Sequence, residues 1–506
     1  MVDNNVIYGY DNTVGGDCNT VTGSTNTAIG YKNDIYGNQN QVLGSVNNVL
    51  GSVNLVDGNY NSVDGHFNTA IGDVNCIDGN VNQVVGNYNG IDGDYNKLVG
   101  DGNLIEGSVN TVAGDLNKID EGNYNVIGGN QNCINEGDYN GILGNANYVQ
   151  GSGNYIEGNV NTLAGDSNVV GGDCNEVYGD ANGVAGSGNE VVGDSNKLIG
   201  NCNDLNGNTN TLVGTSNTVQ GDNNNLAGSL NTVIGNTNDI LGGCNTILGS
   251  NNNAYGDLNN ILGNHNTATG VSNTQIGNGN LAAGVLNTQV GNTNVAIGAS
   301  NTQYGDSNTA VGTCNTQIGY DNTALGTNTY TYGSQNTVTG GNLATVGDSN
   351  TVSGTSSTTV GNGNLVAGDC LVTYGSDNTI IGSQTQTVGN SNFNYGSNNA
   401  ITGDSNQIVG GGNLVYGSGN TVLSSASGCD CDSSCPPPPP PPPSCQDYSC
   451  DCSCPTPPSC DSGCTNTCVD PCDTSCVAPP TCGSCCTPNI QAPVCVTPTD
   501  CKCECP

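Results

Sequence analysis

Basic residues are almost absent from this chain of 506 residues. It has five lysines (Lys32, Lys97, Lys118, Lys197 and Lys502) and no arginine against 43 acids, a net charge of −38. Nucleic-acid binding needs clustered Lys and Arg to neutralise phosphates, so that class is excluded. An anionic membrane surface repels the chain for the same reason. Trp is missing, aromatics are 5% and hydrophobic residues 34%, too little bulky apolar material for ordinary compact cores of this total size. No apolar run is long enough for a membrane-spanning helix. The opening Met1-Val2-Asp3-Asn4-Asn5 lacks the basic and apolar regions of a secretory signal. The only histidines, His66 and His265, are far apart in sequence, and no histidine-centred constellation activates a nucleophile. The expectation is a protein that is not an enzyme.

What the chain has is glycine, 78 residues of it, at a fixed spacing. From Gly9 to Leu423 it reads as heptads G-x-x-N-x-Φ-x, such as Gly37-Asn-Gln-Asn40-Gln-Val42-Leu and Gly235-Asn-Thr-Asn238-Asp-Ile240-Leu. Two single insertions, Glu121 and Glu136, interrupt the period, and without them the span is 59 whole heptads. A coiled coil is excluded, because each glycine would cost a helix about 1 kcal/mol relative to alanine. Collagen is excluded because its glycine recurs at every third residue. A charge content of 9% and a strict period argue against a disordered chain. Short strands joined by tight glycine turns fit both residues and spacing.

Secondary modulations set the coil at two heptads. The sixth position alternates Ala268, Gln275, Ala282, Gln289, Ala296, Gln303, Ala310, Gln317, Ala324. The seventh alternates acid and apolar from Asp64, Ile71 and Asp78 to Glu106 and Ala113, and the insertions lie one coil apart. The fold expected is all-β, a parallel β-solenoid (β-roll) of 14-residue coils over 1–423. A linker with a polyproline run (424–444) and a Cys-rich tail (445–506) would follow. At one coil per strand spacing, about 30 coils would make a rod about 140 Å long. Side chains alternate in and out along a strand, so position four (Asn) and position six (Val, Ile, Leu, Ala) should both point inward. The apolar stack would supply a narrow core and the Asn stack an amide ladder bonded to the turns.

Segments such as Asn26-Thr-Ala-Ile-Gly30, Asn68-Thr-Ala-Ile-Gly72 and Asn308-Thr-Ala-Val-Gly312 resemble the head repeats of trimeric autotransporter adhesins. The resemblance implies left-handed parallel β-rolls of two heptads per coil that trimerise. No signal, coiled-coil stalk or membrane barrel is expected beside the repeat, and Asn stands where that family often has Ser or Ala. The tail's polyproline and close cysteines faintly resemble minicollagen tails.

Several outward positions are candidates for binding. Position seven of the later heptads (Ile276, Val290, Ile297, Tyr304, Val311, Ile318, Leu325, Tyr332) would form an apolar stripe and a self-association seam, unless the strand end curls inward. Asp64, Asp78, Asp92, Glu106 and Asp120 would stack like charges about 5 Å apart, a candidate Ca²⁺ ladder or a set of solvated acids. Thr274, Thr288, Thr302, Thr309, Thr316 and Thr323 recur at position five, where a flat Thr array could bind ice and where Thr also simply suits an exposed strand. In the tail, Cys464, Cys468, Cys472, Cys476, Cys482, Cys485 and Cys486 are expected to cross-link by disulfides, with a thiolate metal cluster as the alternative. The function expected is a structural fibre, spike or surface coat on an extracellular surface or virion. The rod would space or display and the tail would cross-link or anchor. An adhesin for a receptor or glycan is the alternative.

Overall fold

The computed structural model of the chain describes residues 4–423. The linker, the tail and the cross-linking cysteines expected there lie outside the described residues. The described chain forms two compact units, residues 4–224 and 225–423. Each is a parallel β-solenoid of strands three or five residues long, with no helix.

In the first unit, alternate strands pair in parallel one coil apart. Val6–Tyr8 pairs with Thr20–Thr22, which pairs with Asp34–Tyr36. The strands between them, from Thr13–Gly15 onward, form a second sheet in the same way. The fourteen-residue coil is therefore present, with two sheets and two corners per coil. The second unit repeats the plan, one sheet carrying Gln275 and Gln289 in register, the other Ala268 and Ala282.

Positions four and six both face inward, as the parity of a strand requires. Asn33, fully buried, is typical of position four. Its backbone N–H and its Nδ2 both donate to Oδ1 of Asn19, at 3.0 Å each, and Nδ2 also donates to the Gly44 carbonyl at 2.8 Å. Its own Oδ1 accepts the same pair from Asn47 in the next coil. A buried amide is tolerated only when its donors and acceptor are used, and the one-coil repeat uses all of them.

The corners dictate the glycines. Gly44 has φ of 126°, and a Cβ added there would fall on the Gly58 carbonyl oxygen of the next coil. Two residues later the chain enters the left-handed region with ordinary side chains, as at Val53 (φ 64°) and Phe67 (φ 61°). Glu121 and Glu136 enter the same region (φ 51° and 54°) and lengthen two coils at one corner. The ladder absorbs them: the Asn125 N–H donates to Asn110 Oδ1 across 15 residues, and Thr111 still faces Val126.

The core of the second unit changes along its length. Where Gln275, Gln289, Gln303 and Gln317 occupy position six, alanines stand on the facing sheet and leave room for them. The Nε2 of Gln275, Gln289 and Gln303 each donates to the Oε1 of the next Gln, at 3.0, 2.9 and 2.8 Å. Gln275, first in line, has no glutamine before it, and its Oε1 has no partner. Beyond them Thr331, Thr345, Thr359, Thr373 and Thr387 take position six, all buried. In those coils Asn gives way at position four, where Leu343 and Leu371 join Val338, Val352, Val366 and Ile380 in an apolar cluster. In those two coils the apolar bulk sits two residues earlier, and Thr329, Ser357 and Thr385 hold position four in the coils that alternate with them.

Candidate binding faces

The acid column exists as expected. Asp64, Asp78, Asp92 and Glu106 face one another across successive strands of one sheet in the first unit. Asp120 follows and takes an ion pair from Lys118 at 2.7 Å. Burial first, then the charge of Asp120, pushes the Glu106 carboxyl above its ordinary range. Among the described residues no three His, Cys, Asp or Glu side chains converge to hold an ion. A cation on this column would therefore have to sit between successive carboxylates.

A second set of acids has a role the sequence did not reveal. At position two the side-chain oxygen accepts the backbone N–H of the coil before it. Asp166 N–H donates to Asp180 Oδ1 (2.7 Å) and Asp180 N–H to Asp194 Oδ1 (2.8 Å). Asn, Ser and His66 fill the same place, the His66 Nδ1 accepting from Ser52 N–H at 3.0 Å. The signal was visible in the sequence as a preference for Asp, Asn and Ser after each glycine. Its meaning needed the left-handed turn that turns that N–H outward.

The apolar position-seven residues point outward, Ile276 keeping 40% and Tyr332 51% of their surface exposed. They do not curl into the core. They also form two stripes rather than one, because consecutive heptads lie on opposite sheets. Ile276, Val290, Tyr304, Ile318 and Tyr332 share the glutamine sheet. Ile297, Val311 and Leu325 share the alanine sheet. The glutamine-sheet stripe continues in register from Ile234 to Val388. The threonines divide likewise: Thr274, Thr288, Thr302 and Thr316 on one sheet, Thr309 and Thr323 on the other.

His66 lies in the first unit and His265 in the second, each exposed on a turn. Cys174 and Cys202 both occupy left-handed turn positions of the first unit, φ 57° and 55°. No described helix is long and apolar enough to cross a membrane.

Stacked coils, an amide ladder and outward columns define a β-roll repeat protein, and such a fold fits a non-enzymatic structural role. A family model described as grass antifreeze beta roll matches residues 2–79 and 100–205. The match supports the β-roll repeat and leaves the adhesin-head likeness a resemblance. No curated protein matches the chain.

Proposed function

We propose that this chain is a structural protein of an outer surface, a fibre, spike or coat component. Its β-roll spaces or displays, and its Cys-rich tail cross-links or anchors. The carrying observation is the apolar column on the glutamine sheet of the second unit, Ile234 to Val388. Soluble monomers seldom leave so continuous an apolar strip uncovered, so its natural use is a seam between copies. The trimer implied by the adhesin resemblance is one closed form such a seam could take. Sedimentation velocity and negative-stain microscopy of the full chain, with and without reductant, test this. Assembly that is lost in Ile276→Lys/Tyr304→Lys/Tyr332→Lys, and bundles that loosen under reductant, are expected. A chain that stays monomeric with and without reductant contradicts the reading.

One observation favours a second reading. Thr274, Thr288, Thr302 and Thr316 form an outward column with one strand spacing per residue, a pattern suited to ordered water. The family whose model matches is described as antifreeze, although the matched residues 2–79 and 100–205 do not include that column. Ice-recrystallisation inhibition that is lost in Thr288→Tyr/Thr302→Tyr would favour ice binding over assembly.

A further inference from the structure

One corner of the first unit carries a ridge that the fold itself does not explain. Val53, Phe67, Val81, Tyr95, Val109 and Tyr124 occupy the third heptad position in successive coils, every one at φ between 58° and 64°. That region disfavours bulky and above all β-branched side chains, and Asn or Gly would be the easy choice. In the second unit the equivalent turns carry Thr237, Asn251, His265, Gly279, Thr293 and Ser307. Stacking within the ridge does not bury it: Phe67 is 60% and Tyr95 61% exposed. Aromatic and valine alternate along it, so a smaller side chain stands between successive rings from Phe67 to Tyr124, and Tyr124 stacks on Tyr139 of the next coil at 4.8 Å between centroids.

The acid column runs beside this ridge. Asp64, Asp78, Asp92 and Glu106 each precede a ridge residue by three positions, and Asp120 precedes Tyr124 by four because Glu121 intervenes. We infer that ridge and column together bind an extended basic segment of a partner protein, its aliphatic side chains over the valines between the rings and its Lys or Arg side chains on the carboxylates. Charge complementarity selects the occupant. The same face of a second copy brings the same acids against these, and this chain's own tail offers one lysine, Lys502.

The test uses the full chain and a fluorescein-labelled peptide of alternating Lys and Val, with binding read by anisotropy at low and moderate salt. In Phe67→Asn/Tyr95→Asn/Tyr124→Asn, whose new residues suit the left-handed turn, binding should weaken at least about tenfold while the melting temperature holds or rises. In Asp64→Asn/Asp78→Asn/Asp92→Asn it should weaken comparably, although the net charge changes little. The single variant Tyr95→Asn, checked by circular dichroism, serves if the triple variant does not fold. Unchanged binding in the ridge variant would mean diffuse attraction to an acidic chain and overturn the proposal. Equal binding of a Ser–Val peptide, or a ridge variant that alters oligomer size without altering peptide binding, would assign the ridge to another occupant and overturn it equally.

Discussion

Asn161 makes every hydrogen bond its amide offers. Its Nδ2 donates to Asn147 Oδ1 and to the Gly172 carbonyl, and its Oδ1 accepts from the backbone and side chain of Asn175. Asn161→Ala strands the buried Asn175 N–H and the half-buried Gly172 carbonyl, so stability should fall by about 2 kcal/mol, measured by denaturant unfolding. The core threonines predict the opposite sign. The Oγ1 atoms of Thr345, Thr359 and Thr373 are buried without a partner. Valine has the same shape, so Thr359→Val should raise stability by about 1 kcal/mol. The inward direction of Asn and of the sixth position was legible in the sequence, because both follow from strand parity. The left-handed third position was not, since Val, Tyr and Phe are the residues that ordinarily argue against it.

At the scale of the coil, the corner glycine is the element that sets the spacing. Gly44→Ala combines an unfavourable φ with a Cβ placed on the Gly58 carbonyl oxygen, and relief requires two coils to part. A loss of about 3 kcal/mol is expected, read as a shift of the denaturation midpoint. The same change at Gly183, which has an ordinary φ and open space around its Cβ, should be nearly neutral. The two-heptad coil could be read from the alternations Ala268/Gln275 and Asp64/Ile71, since a repeat of fourteen needs two distinguishable sheets. The face assignment of the apolar residues was harder. A sequence column read every seven residues mixes the two sheets, which is why one stripe from Ile276 to Tyr332 became two. The exchange of Asn for Leu343 and Leu371, two residues before the core threonines Thr345 and Thr373, was likewise invisible, because the compensation acts between positions and not within one.

For the whole molecule, charge dominates. With 43 acids and five bases, repulsion opposes any compact arrangement and should make stability rise with added salt. At Glu106 burial comes first, and the charge of Asp120 adds to it. The folded carboxyl titrates above the ordinary glutamate range, so the folded state holds the proton more tightly than the unfolded chain. Its unfavourable contribution is absent below the unfolded pKa and fully present once the pH has risen through the folded one. Glu106→Gln should therefore stabilise the protein at neutral pH and make no difference in acid, checked by unfolding at both.

Distances within the first unit test the stacking of coils most directly. Spin labels carried on an unnatural amino acid, inert to the cysteines, can replace exposed or half-buried outward residues of one sheet: Thr27, Gln41, Lys97 and Thr111. Gln41 to Lys97 spans four coils, Thr27 to Lys97 five and Thr27 to Thr111 six. Double electron–electron resonance should give about 19, 24 and 29 Å, a constant step per fourteen residues. Distances that do not grow linearly with coil number would contradict the in-register β-roll.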